Sequence, residues 1–354
     1  MSGHLVIYGA YGYTGELIVR RAVERGLRPV LSGRDPVRVA RLAAEYGLEH
    51  RAVALGDVAA LDRALAGVST VLHCAGPFAV TSKAMADACL RAGVHYLDIT
   101  GEIAVFEALA RRDSEARARG VMLLPGVGFD VVPSDCLAAH LARRLPGAER
   151  LALAFMGLGA GLSRGTATTA LMGLGSGAGG AVRRDGRIVE VPTAWRTRTI
   201  DFGEGPRTTV TIPWGDVATA YYSTGIPNIE VSMAVPRRAV RWMRLGQSLG
   251  PVLRLSPVRA ALLRAVRSGP PGPSDEQRAR GQSLLWGEAV APDGRRVVSR
   301  LRAPEGYTLT AHAAVAIAER ALVGDVRPGF ATPSLAYGAD FVLGLPGITR
   351  TDEM

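Results

Sequence analysis

A glycine-rich turn, Gly9-Ala10-Tyr11-Gly12-Tyr13-Thr14-Gly15, stands between the apolar run His4–Tyr8 and the segment Glu16–Arg25. In that segment Leu17, Ile18, Ala22 and Val23 recur at helical spacing. Nothing else in the chain restricts its fold as strongly as these glycines between a strand and a helix. Gly9 permits a tight turn, Gly12 lets backbone approach a phosphate pair, and Gly15 lets the helix lie close on the strand. The free N–H groups of the helix's first turn then face an anion. Gly9, Tyr11, Gly12, Tyr13, Thr14 and Gly15 are expected to hold the pyrophosphate of a dinucleotide, a purely structural turn being the alternative.

The strand–helix rhythm repeats. Strands are predicted at Pro29–Ser32, Arg51–Leu55, Thr70–Cys74, His95–Ile99 and Val121–Leu124. Helices are predicted at Val37–Tyr46, Val58–Ala66, Ser82–Ala92 and Val105–Arg119. Single helices between strands impose parallel pairing with right-handed crossovers, so the class is α/β with a Rossmann doubly wound parallel sheet. After Asp130 the rhythm changes to a helix at Ser134–Leu145, a strand at Leu151–Met156 and a Gly/Ser/Thr-rich region from 157 to 180. Strand-like pieces follow at Arg187–Val191, Thr208–Ile212, Glu230–Ala234 and Arg295–Leu301, separated by Gly/Pro turns. A final helix, Thr308–Leu322, precedes a tail rich in Gly and Pro. The expected division is a dinucleotide domain over 1–130, an α+β substrate domain over 131–305 and a C-terminal segment over 306–354.

The second strand ends Ser32-Gly33-Arg34, with no carboxylate for the ribose hydroxyls of NAD. A guanidinium in that place suits a 2′-phosphate, with Ser32 adding a hydroxyl and Arg38 a second charge. NADP(H) is therefore the expected cofactor, a solvated Arg34 being the other reading. Asp57, after the third strand, is expected toward the adenine, and Cys74, Ala75, Gly76 and Pro77 leave the fourth strand beside the nicotinamide half. Asp98–Glu102, including Gly101, and Gly126–Asp130 border the reacting end by the same rule. Asp98 and Glu102 are alternatively bonded to loop amides.

Several chemistries are excluded. Lys83, the only lysine, has no tyrosine four residues ahead of it, which removes the proton relay of short-chain dehydrogenases. The six histidines have no metal-ligand spacing, so no metal is expected. Cys74, Cys89 and Cys136 form no CxxC pair, which suits a reducing, cytoplasmic setting. The first residues enter a strand at once, so a signal peptide is not expected, nor is a spanning helix. The net charge of +10 reads either as a coding habit rich in Arg or as the mark of an acidic partner. Without a basic run of five or any recognisable nucleic-acid motif, nucleic acid is not that partner.

Three features of the second domain bear on substrate. Ser163–Thr169 is a hydroxyl-rich turn into a helix, suited to an anion or to close approach over a nicotinamide; an ordinary helix cap explains Ser163 or Thr166 as well. Tyr221 and Tyr222 are paired phenols, either an acid near a developing oxyanion or core packing. Residues 237–267 mix Arg with Val, Leu, Met and Trp. That stretch reads as a peripheral contact with acidic lipid or protein, or as scaffold helices with snorkelling arginines.

GAYGYTG, Ser32-Gly33-Arg34, the Cys74–Phe78 loop, the run Gly93-Val94-His95-Tyr96-Leu97-Asp98 into Thr100-Gly101-Glu102, and Gly128–Asp135 together resemble the saccharopine dehydrogenase-like family. Within it the chain is most similar to the trans-acting enoyl reductases of actinobacterial lipid and polyketide pathways. Gly165-Thr166, Thr224–Glu230, Gly306-Tyr307 and Gly329–Pro333 extend the similarity along the chain. The resemblance implies a mixed-sheet second domain, a C-terminal segment returning to the first domain, a homodimer and NADPH-dependent reduction. The expected reaction is hydride delivery to an enoyl thioester on an acyl carrier protein or CoA, with Tyr221, Thr166 and Asp130 as candidates for acid or oxyanion partner. C=N reduction of an amino-acid adduct, and a non-catalytic NADP-binding protein at lipid surfaces, are the alternatives.

Overall fold

The computed structural model describes residues 4–159, 163–165, 168, 179–248 and 256–353. The chain divides into two compact units, Met1–Val132 with Tyr307–Tyr337, and Pro133–Gly306 with Gly338–Met354.

In unit 1 the strands are β1 Leu5–Tyr8, β2 Val30–Gly33, β3 His50–Ala52, β4 Thr70–His73, β5 His95–Asp98 and β6 Met122–Leu124. Between them run α1 Tyr13–Glu24, α2 Pro36–Tyr46, α3 Val58–Ala64, α4 Phe78–Ala92, α5 Ile103–Ala110 and α6 Asp113–Ala118. All pairings are parallel, and a two-residue strand, Gly329–Phe330, extends the sheet beyond β6. The spatial order from that strand is β6-β5-β4-β1-β2-β3, so the winding reverses between β4 and β1, where open α/β sheets bind ligands. Both β1 and β4 are buried along their whole length, which explains the unbroken apolar run of β1. Helix ends follow local chemistry. Asp35 caps α2 by accepting from Val37 N and Arg38 N, with Pro36 opening the helix and Gly47 closing it in the left-handed region. The single helix expected over Val105–Arg119 is two, because the chain breaks at Arg111-Arg112 before α6.

Unit 2 opens with α7, Val132–Arg144, and is built on a nine-stranded mixed sheet. Its strands are β7 Arg150–Leu158, β8 Gly180–Arg184, β9 Arg187–Val191, β10 Thr197–Asp201, β11 Pro206–Thr211, β12 Asn228–Ala234, β13 Gln282–Val290, β14 Arg296–Pro304 and a last strand, Thr349–Asp352. The path is β10-β11-β12-β7-β13-β14 and then Thr349–Asp352, with the β8–β9 hairpin attached through β12. Among the described residues of this sheet only β7 and β12 pair in parallel. Met156, Ile200, Phe202, Leu284 and Trp286 form an apolar cluster on this sheet. Gly287 lies against α7, where an added Cβ would come 2.6 Å from Leu141 Cδ1.

The C-terminal segment expected to return whole to the first domain is split. The helix Gly306–Leu322 and the strand Gly329–Phe330 go with unit 1, whereas 338–354 goes with unit 2 because Thr349–Asp352 pairs with β14. Among the described residues no helix is long and apolar enough to cross a membrane.

Candidate dinucleotide site

The turn between β1 and α1 has the shape its glycines demand. Gly9 sits at φ +80°, and a Cβ on Gly15 would fall 2.3 Å from Gly9 O, so no side chain fits where α1 crosses the turn. A Cβ on Gly12 would meet only Gly9 O within 4 Å, at 3.3 Å, which leaves that backbone open on its outer side. The N-cap of α1 is Gly12, which has no side chain to occupy the helix's first N–H groups. The turn therefore presents bare backbone and a helix N-terminus, the surroundings a pyrophosphate needs.

Across the switch point the loop after β4 closes on this turn: a Cβ on Gly9 would be 2.8 Å from Ala75 N. Thr81 Oγ1 pins that loop, donating to Ala75 O at 2.7 Å. Glu102 accepts from Phe78 N at 2.8 Å and Ala79 N at 2.9 Å, so its carboxylate caps α4. Burial, with Asp98 nearby, pushes the Cys74 thiol up, and it stays protonated. His73, packed among Tyr8, Phe78 and Tyr96, is driven down to about 3 by burial and stays neutral.

Asp98 takes the loop-amide reading. Its carboxylate accepts from Tyr96 Oη at 2.6 Å and from Thr100 N and Gly126 N at 2.9 Å each, tying the ends of β5 and β6 together. Burial raises it to about 6 despite these donors. Asp130 is different. It lies where its Oδ2 would be 2.6 Å from a Cβ on Gly101, so glycine is required there for the carboxyl to seat. Although partly exposed, it is packed round by enough protein that desolvation pushes it up to about 7. Thr310 Oγ1 accepts from the adjacent Phe129 N at 3.0 Å, and on the same helix as Thr310 the Tyr307 ring meets Tyr13 edge-on at 5.1 Å. Thr310 and Tyr307 were not among the expected site residues; only a contact spanning some 180 positions brings Thr310 there.

At the end of β2 the Tyr11 ring covers Gly33, whose Cβ would be 2.5 Å from Tyr11 Cε1, and the Arg38 guanidinium stacks on that ring at 4.4 Å. Arg38 also donates to Tyr11 O at 3.1 Å. Arg34 is exposed, which leaves its guanidinium open to a phosphate. Ser32 does not take the expected part: it is 1% exposed and its hydroxyl donates to Arg51 O at 2.7 Å, so that proton is already spent within the sheet. Asp57 caps α3 by accepting from Ala60 N at 2.9 Å.

The other candidates lie in unit 2. The Tyr221 ring carries the Arg183 guanidinium at 4.2 Å, and its hydroxyl would be 3.3 Å from a Cβ on Gly186. Arg183 in turn donates to Val217 O and Gly186 O, so the phenol is a packing element of the β8–β9 hairpin. Thr166 lies outside the described residues. Ser163 is buried, and Thr168 Oγ1 donates to Arg164 O at 2.6 Å, a bond within its own turn.

Comparison with known proteins agrees with this geometry. Residues 5–124 match the saccharopine dehydrogenase NADP binding domain family. The human saccharopine dehydrogenase-like oxidoreductase is 27% identical over 197 residues, covering 49% of this chain and 46% of that protein. The trans-acting enoyl reductase of Mycobacterium ulcerans (strain Agy99) is 28% identical over 148 residues, 40% of this chain and 35% of that protein. The chain thus spans about half the length, or less, of these curated relatives. In fold it is similar to the apo histidine-tagged saccharopine dehydrogenase (L-Glu forming) from Saccharomyces cerevisiae, with a TM-score of 0.67 at 11% identity over 99% of this chain and 100% of that one. An open glycine turn, a glycine N-cap on α1 and an exposed Arg34 fit the cofactor the family name carries, and residues 5–124 are an NADP-binding domain similar to that of the saccharopine dehydrogenases.

Proposed function

We propose that this chain is an NADPH-dependent reductase of a C=C bond conjugated to a thioester carbonyl, with Asp130 as the proton donor. The observation that carries the reading is Asp130 itself, a carboxyl seated on Gly101 at the carboxyl end of the sheet and held protonated up to about pH 7. NADPH, when bound, supplies hydride. The backbone of Gly9–Gly15 and the N-terminus of α1 would hold its pyrophosphate, and Arg34 its 2′-phosphate.

Reduction at the β-carbon breaks the π bond and moves an electron pair onto the thioester oxygen as an enolate. The α-carbon then needs a proton. Asp130 is suited to give it: its Oδ–H bond breaks, the α-carbon gains C–H, and the carboxylate regains a proton from water before the next turnover. Asp98 and Glu102 are occupied by loop amides and take no part. The similarity to the mycobacterial enoyl reductase supports the substrate class.

The test is NADPH oxidation with enoyl-CoA, enoyl-carrier-protein and imino-acid panels. Turnover of enoyl thioesters supports the proposal. Turnover of imino acids alone replaces it with C=N reduction, and tight NADPH binding without turnover of either class leaves a binding protein.

A further inference from the structure

The charge of +10 is unevenly placed. Unit 1 holds 17 basic and 16 acidic residues, while unit 2 holds 25 arginines against 16 acids. Within unit 2, positions 231–274 contain eight arginines and no Asp or Glu. A coding habit scatters arginine along a chain; it does not empty one stretch of acids.

Elsewhere in unit 2 arginines face carboxylates, as Arg143 does Asp340 at 2.9 Å and Arg350 does Asp340 at 2.7 Å. Arg237, Arg238 and Arg241 are exposed, and among the described residues their one partner is the Thr208 hydroxyl, 3.4 Å from Arg237 Nε. Arg237 and Arg241 stand one turn apart on the helix Arg237–Ser248 and open onto a groove of about 380 Å³ beside the edge strand β10. Thr197, Arg198 and Thr199 of β10, Thr208 of β11, paired with Thr199, and Val240 line it, the Arg198 guanidinium being paired with Glu288 at 3.0 Å. Two guanidinia and three hydroxyls are donors for phosphate oxygens, and the volume leaves room for ester groups on the phosphorus. The helix Ser256–Ser268 keeps Val258, Leu262, Leu263 and Val266 only half-buried, with Arg264 exposed. A cationic helix with a half-buried apolar stripe suits the boundary between headgroups and acyl chains.

We propose that unit 2 docks on an anionic phospholipid surface through this face, with Thr197, Thr199, Thr208, Arg237 and Arg241 receiving a headgroup phosphodiester. The experiment is flotation of the full chain at low salt with vesicles of phosphatidylcholine alone or with phosphatidylglycerol added. NADP affinity of each variant, held by unit 1, reports that the chain is folded. The chain is expected to float only with the anionic vesicles. Arg237→Ser/Arg241→Ser should lower the partition by roughly tenfold or more, each arginine near such a surface acting independently. Thr199→Val/Thr208→Val, which leaves the charge unchanged, should lower it severalfold. Equal flotation with neutral vesicles, no flotation with anionic ones, or unchanged partition of the double arginine variant overturns the proposal. So does an equal loss on Arg150→Ser, an exposed arginine away from the groove, since diffuse charge would then suffice. Glycerol phosphate that displaces vesicles no better than sodium chloride of equal ionic strength supports a lipid headgroup; displacement at much lower strength overturns it in favour of a soluble phosphate ester.

Discussion

Asp130 keeps its proton near neutrality because protein atoms have replaced water around it, and an uncharged carboxylic acid is the form such surroundings favour. An acid in that state works only below its pKa, so kcat for enoyl reduction should fall as pH rises through about 7. Asp130→Asn preserves the shape and removes the proton; kcat should drop by about 10²-fold or more, with NADPH affinity nearly unchanged. Steady-state kinetics and fluorescence titration together check this, and a variant that keeps wild-type kcat removes Asp130 from the mechanism. Arg34 offers a second single-residue test. A hydrogen bond to a charged group contributes about 1.5–3 kcal/mol, so Arg34→Ala should weaken NADP roughly tenfold to a hundredfold and leave NAD unaffected. Equal loss for both cofactors would show that Arg34 does not read the 2′-phosphate.

The ends of β5 and β6 are joined by one carboxylate, and this makes their stability depend on pH. Asp98 is raised to about 6 by burial, above its value of about 4 in an unfolded chain. The folded form therefore binds that proton more tightly, and the associated stability is present at low pH and lost as pH rises from about 4 to about 6. Asp98→Asn keeps acceptors for Thr100 N and Gly126 N without the titration. The difference in unfolding free energy between wild type and variant should decline across that window, by at most about 3 kcal/mol, and stay flat above it. Denaturant melts at a series of pH values measure it; a difference that rises with pH contradicts the assignment. The turn before α1 has no such tolerance. Gly15→Ala puts a Cβ 2.3 Å from a backbone oxygen that no rotamer change relieves, so NADP binding should be abolished and Tm lowered.

The whole molecule is not divided in chain order. After the helix Gly306–Leu322 and the strand Gly329–Phe330 join unit 1, the last residues return to unit 2. There Asp340 lies between Arg143 and Arg350, and Asp352 accepts from Ser299 Oγ at 2.6 Å and stands 2.9 Å from His140 Nε2. Deleting residues 340–354 removes these bonds and uncovers the edge of β14. Calorimetry should then show a less stable unit 2, while isothermal titration finds NADP bound to unit 1 with unchanged affinity. Loss of NADP binding on this truncation would contradict the division.

The dinucleotide half was legible because its signals are local. A glycine that must adopt φ +80°, apolar runs bounded by turns and helices one crossover long are dictated by sterics and burial over a few neighbouring residues. The Ser32-Gly33-Arg34 ending likewise pointed to NADP from one strand end. Unit 2 was legible only in fragments: β8, β10 and β13 went unseen, since Gly-Ala-Val-Arg-Arg and Thr-Arg-Thr-Ile-Asp carry weak or edge-type alternation. Their place depends on partners far away in sequence, as β13 depends on β7. The same holds for single groups. The Ser32 hydroxyl is engaged because it donates to Arg51 O on the neighbouring strand, and the Tyr221 ring is engaged because the Arg183 guanidinium lies over it. Sequence alone determined the glycine turn, the parallel alternation and the cofactor class, since each is a short-range steric or charge requirement. Which hydroxyls, carboxyls and arginines remain available for chemistry was decided only by tertiary structure, because hydrogen bonds and burial are assigned by whichever distant segment arrives to pair.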